Sequence, residues 1–269
     1  LVLTSMFGGF TGFQPNAAND FGERMINSVV TQSLRHMFSR SDSIDVAVRC
    51  SPPSKLLQGT VDSFRMEGRG LVIRNEFETA EMMFETDAVA IDMGAAIGGK
   101  IRLRQPTQAI AQVVLTEDAI NRAFGADLVR QHLEGVDDEA LTNLSGGEPL
   151  TFRDIHITLQ PDQQVTIAAK TDLPNKKDVP IQLTATITVE KRRRIIFANP
   201  EFLSDGIPDT ARSLSATLTK AFATILNRMV DLERFNLDGV LLRVNRLETK
   251  GNQLVFSGYA QIDHFPGMA

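Results

Sequence analysis

Cysteine is nearly absent. Cys50 is the only one in 269 residues, which excludes an internal disulfide and a cysteine zinc site. Tryptophan is missing and Tyr259 is the single tyrosine, so the chain has almost no aromatic ring with a polar tip for wet interfaces or a headgroup belt. No uninterrupted apolar run reaches the roughly 18 residues of a membrane-crossing helix. No basic segment precedes an apolar stretch of signal-peptide length, so the expectation is a soluble or membrane-peripheral chain. A net charge of −5 argues against broad nucleic-acid binding, and no nucleic-acid partner is expected. Against these absences stand 16 Phe and 9 Met, side chains that fill dry and adaptable spaces. An ordinary core and a pocket for flexible apolar ligands both use them. Hydrophobic residues at 42% and charged residues at 23% give the balance of a globular chain, long enough to bury a core without staples.

Catalytic constellations are also missing. His36, His132, His156 and His264 have no second His or Cys at metal-ligand spacing. Cys50 has no His close in sequence, and no Walker loop or GxGxxG occurs. Neither a metal nor a cofactor is expected, and the chain reads as a non-catalytic protein.

Periodicity supplies the organisation. Leu1–Asn19, with Phe7, Phe10 and Phe13, reads as a flexible terminal segment, and residues 20–269 as one domain with a pseudo-repeat boundary near 135–150. Asp20 to Ser39 has the spacing of a helix whose broad apolar face includes Met25, Val29, Val30 and Leu34. Ile44, Val46 and Val48 alternate as a strand. Thr60–Met66 and Leu71–Arg74 flank Glu67-Gly68-Arg69-Gly70, which reads as a turn. Thr116 is placed to cap a helix carrying Ile120, Phe124, Leu128 and Leu133, with Gly125 set to bend or split it. Ile181, Leu183, Ala185, Ile187 and Val189 alternate with Gln182, Thr184, Thr186, Thr188 and Glu190, giving one dry and one wet face. A second helix over Asp209–Val230 carries the stripe Leu218, Phe222, Ile225 and Met229. Strands over Val240–Arg246 and Leu254–Ile262 close the chain. The expected class is α+β: an elongated, strongly curved antiparallel sheet wrapped around long amphipathic helices.

Several strings resemble a known family. Ser54-Lys55-Leu56-Leu57-Gln58-Gly59, Val61-Asp62-Ser63-Phe64 and Gly68-Arg69-Gly70-Leu71 are similar to the early signature of the LmeA-like proteins. Phe84-Glu85-Thr86-Asp87-Ala88-Val89, Arg104-Gln105-Pro106 and Leu115-Thr116-Glu117-Asp118-Ala119-Ile120-Asn121 continue the match. Asn245-Arg246-Leu247-Glu248 and Phe256-Ser257-Gly258-Tyr259-Ala260 resemble its closing strands in the cyanobacterial type. The resemblance implies a phospholipid-binding protein related to tubular lipid-binding domains, with a bent sheet, an apolar groove and no catalytic motif.

Pattern then proposes the site. Leu218, Phe222, Ile225 and Met229 on the second helix, facing Ile181, Leu183, Ile187 and Val189, are the expected acyl groove, with Met25 and Val29 of the first helix as the next candidate lipid contacts. Lys191-Arg192-Arg193-Arg194 is either an anionic headgroup surface or a charged strand end that resists aggregation. The expected function is binding or transport of phospholipid or another lipid, with peripheral membrane contact. The alternatives are a membrane-surface scaffold with a packed core and, less favoured, a lipid hydrolase.

Overall fold

A computed structural model describes residues 20–35, 38–52, 54–92, 94–95, 102–137, 141, 144–229 and 239–264. The expectation for Leu1–Asn19 lies outside these residues. Helix α1 (Asp20–Arg35) precedes β1 (Ser43–Arg49), the single turn α2 (Ser54–Leu57) and β2 (Thr60–Val61). The hairpin β3 (Ser63–Ile73) and β4 (Phe77–Thr86) leads to the short β5 (Val89–Ala90). β6 (Thr107–Thr116) runs directly into α3 (Glu117–Ala123), followed by the turn α4 (Asp127–Arg130). A meander follows: β7 (Phe152–Leu159), β8 (Gln164–Leu173), β9 (Lys176–Glu190) and β10 (Arg194–Phe202). Helix α5 (Asp209–Met229) and the hairpin β11 (Val240–Lys250) and β12 (Gln253–Ile262) complete the described elements.

The strands divide between two antiparallel sheets. One has the order β1-β3-β4-β6-β12-β11 and the other β10-β9-β8-β7, with β2 and β5 as a separate ribbon. In β9 the period-two pattern is realised side chain by side chain: Ile181, Leu183, Ala185 and Ile187 are buried, while Gln182, Thr184 and Thr186 are half-buried on the other face. That dry face packs with α5 through Leu218, Phe222 and Leu226, and it shares one apolar cluster with Val244, Leu247, Leu254 and Phe256 of the larger sheet. Val30 and Leu34 of α1 pack with Ile44, Val48, Phe64, Met66 and Met82 at the β1 side.

Edge strands expose unpaired backbone groups, and here each one receives a partner. On α1, Asn27 Oδ1 accepts the Val48 N–H of β1 at 2.9 Å. On α3, Asn121 clamps Ile157 of β7 at both backbone groups: Oδ1 accepts its N–H at 2.7 Å and Nδ2 donates to its carbonyl at 2.9 Å. One turn earlier, Glu117 accepts the Leu159 N–H at 2.7 Å. Asn227 of α5 repeats the clamp on Phe197 of β10, at 2.6 and 3.2 Å. The β11 edge is met by the β9–β10 turn, where Val244 N–H donates to the Arg192 carbonyl at 2.8 Å.

Two expectations are corrected. The strands do not form one sheet wrapped around long helices. They form two open sheets, antiparallel strand dominates, and the helices lie along the sheets as local covers. Glu67–Gly70 is not a turn but the middle of β3, and the hairpin turns at Arg74–Glu76. Gly70 adopts φ +56°, and the Asp42 carboxylate fills the place a Cβ would take, so this glycine serves a mid-strand close approach. The helix after Thr116 is as expected: Thr116 Oγ1 caps it by accepting the Ala119 N–H at 3.1 Å, and it splits at Phe124–Ala126, around Gly125.

At the end of the small sheet, Arg153 bridges Asp172 and Asp178 at 2.8 Å each, and the Asp178 N–H donates to Asp172 at 2.8 Å. That backbone donor, then Arg153, holds the Asp172 carboxyl below its ordinary value of 3.8. A depressed folded pKa stabilises above the unfolded pKa, and the contribution is lost as pH falls through the folded value. Wild type should therefore melt above Asp172→Asn at pH 7, and the gap should close below pH 3.8, checked by thermal melts along a pH series. A gap independent of pH would show that ionisation at Asp172 plays no part.

Candidate functional site

The two sheets do not close completely on each other. Between them lies a cavity of about 370 Å³, within the size range of small-molecule pockets. The dry alternation of the large sheet supplies one wall: Met82 and Phe84 from β4, Val113 and Leu115 from β6, Leu254 and Phe256 from β12. Ile157 and Leu159 of β7, Ile187 of β9 and Ile195 and Phe197 of β10 form the opposite wall. Ile120 and Phe124 with Leu128 close one side, and Leu226 and Met229 at the end of α5 contribute to the other. The residues clamped by the two asparagines, Ile157 and Phe197, are themselves wall residues. The clamps thus hold the strands that shape the space.

Polar side chains are few and gathered at one end. Arg74, Glu78 and Thr79 come from the β3–β4 tip, and His132 follows α4. These segments are tied together where Arg122 donates to Glu78 at 2.9 Å and the Asp127 N–H to Glu76 at 3.3 Å. Glu78 also lies 3.9 Å from Arg40. His132 Nδ1 is 2.9 Å from the Leu128 carbonyl. Among the described residues no Ser or Cys lines the cavity, and no group of three His, Cys, Asp or Glu is placed to hold a metal. Cys50 is buried elsewhere, its Sγ 3.3 Å from the Thr60 carbonyl.

Of the residues expected to form the groove, Ile187 and Met229 line the cavity. Leu218, Phe222, Ile181 and Leu183 have no exposed surface, Ile225 is buried, and Val189 packs against the same cluster. Met25 and Val29 lie in α1, but their side chains fall outside the described part. Lys191, Arg192, Arg193 and Arg194 sit at the β9–β10 turn and do not line the cavity. Lys191 and Arg192 are exposed, with the Arg192 guanidinium 5.8 Å from the centre of the Tyr259 ring. Arg194 pairs with Glu190 at 3.1 Å and donates to the Asn227 carbonyl at 2.9 Å. The wall residues Met82, Phe84, Val113 and Leu115 escaped the sequence reading, because alternation marks a dry face without showing whether that face meets a partner. The two clamps had a signal: Asn disfavours a helix interior, so a buried structural task was the reason to look for.

No described helix is long and apolar enough to cross a membrane. No curated protein and no solved structure matches the chain. The family described as LmeA-like phospholipid-binding matches residues 17–258, nearly the whole of the described fold, cavity walls included, and the chain belongs to that family.

Proposed function

We propose that the cavity takes up acyl chain of a phospholipid, and that the protein binds or carries lipid without chemical conversion. The observation that carries this reading is a space of about 370 Å³ walled by aliphatic, Phe and Met side chains, with polar groups confined to one end. An acyl chain needs dry area and no directional bonds, and each buried methylene contributes about 0.8 kcal/mol. Ile187 and Met229 act as wall, and Leu218, Phe222, Ile225, Ile181 and Leu183 as the packed layer behind it. A guest between two sheet faces agrees with what the resemblance to tubular lipid-binding domains implies. Lys191 and Arg192, exposed at their turn, are the proposed contact with an anionic bilayer surface. A scaffold with a packed core is the weaker reading, since the walls do leave a cavity.

The test is solvent extraction of the purified protein followed by lipid mass spectrometry, with uptake of labelled phosphatidylcholine from vesicles as the second readout. Val113→Trp places a bulky ring in the cavity wall and should reduce uptake at least tenfold while far-UV circular dichroism is unchanged. Absence of bound lipid together with no uptake by the wild-type protein would overturn the proposal.

A further inference from the structure

Thr79 of β4 is 5% exposed, lines the cavity, and its Oγ1 has no hydrogen-bond partner among the described residues. Among the described residues the other unpartnered buried hydroxyls, Ser215 and Thr219 on α5, do not line it. Burying a hydroxyl without a partner is unfavourable, so a wall position that keeps one has a use for it. Thr79 also belongs to the polar end of an otherwise apolar space, beside Glu78, which is already engaged by Arg122. An amphipathic guest fits such a space in one direction only, chains among the apolar walls and polar part toward the β3–β4 tip.

The depth of the hydroxyl narrows the chemistry of its acceptor. A phosphate is costly to bury against apolar walls at the depth of a residue 5% exposed. A neutral carbonyl can be buried once it receives one donor. We propose, building on the lipid-binding reading, that Thr79 Oγ1 donates to an ester carbonyl of a diacyl lipid. The site then selects ester-linked over ether-linked chains, and the polar end of the lipid lies at the β3–β4 tip. An ether-linked lipid lacks the carbonyl and leaves the hydroxyl unpaired.

The experiment offers the full chain vesicles of equimolar diacyl and dialkyl phosphatidylcholine with matched chains, and counts each lipid bound by mass spectrometry. Wild type should take the diacyl lipid in about five- to tenfold excess, the scale of one hydrogen bond. Thr79→Ser keeps the donor and should keep the excess. Thr79→Val should take both lipids equally, and its lipid-free form should melt no lower than wild type, because it loses only an unpaired hydroxyl. Uptake without preference by wild type, or an excess that survives in Thr79→Val, overturns the assignment of Thr79 and leaves lipid binding standing. Uptake of neither lipid overturns both.

Discussion

Phe222→Glu is expected to unfold the protein at room temperature. Phe222 has no exposed surface, stands within α5, and sets its ring 4.9 Å from that of Phe152 on β7 of the small sheet. Truncation to Ala removes these contacts and leaves a hole, at a cost of about 3–5 kcal/mol. A carboxylate in the same place adds the penalty of an unpaired buried charge. Domains of this kind are stable by only about 5–15 kcal/mol, so the sum approaches the whole. Far-UV circular dichroism and urea unfolding check both variants. A Phe222→Glu protein that stays folded and loses lipid uptake would instead put acyl chains against the α5 stripe itself, with Leu218 and Ile225 as their contacts.

Asn121→Ala and Asn227→Ala should each lower stability by about 2–4 kcal/mol. Each asparagine satisfies both backbone groups of one edge residue, Ile157 on β7 and Phe197 on β10. Alanine removes two bonds at once and leaves an N–H and a carbonyl at a part-buried edge. The two edges are three strand spacings apart, about 14 Å, so the effects should add in the double variant. Chemical denaturation gives the magnitude. Amide exchange gives the location: Ile157 should lose protection only in Asn121→Ala, and Phe197 only in Asn227→Ala. Unchanged exchange at those amides would show that the edges are held by other contacts. Ile157 and Phe197 both line the cavity, so lipid uptake should weaken in each variant before the fold is lost.

Local chemistry was readable in the chain. The five-fold alternation from Ile181 to Val189 specifies a strand with one dry face, because side chains on a pleated backbone point to opposite sides in turn. Thr116 before Glu117 specifies a capped helix start, because its hydroxyl satisfies an N–H that the first turn leaves unpaired. The family strings were readable for the same reason, being runs of adjacent residues. Gly68-Arg69-Gly70 misled, since glycine serves a turn and a mid-strand close approach equally well. The difference lies in Asp42, which the sequence does not place beside it.

What the sequence by itself determined is therefore the β9 strand with its dry face, the capped start of α3, the two longer helices, the closing strands and the family. What only the tertiary structure decided is the site. A cavity arises where two dry faces stand apart, and its walls here join Met82, Val113, Ile157, Phe197 and Phe256, drawn from both sheets. Whether such faces touch or leave a gap depends on how the sheets cross and on which helix holds each edge. Periodicity within one segment carries no information about either, because it records only which side of that segment is dry.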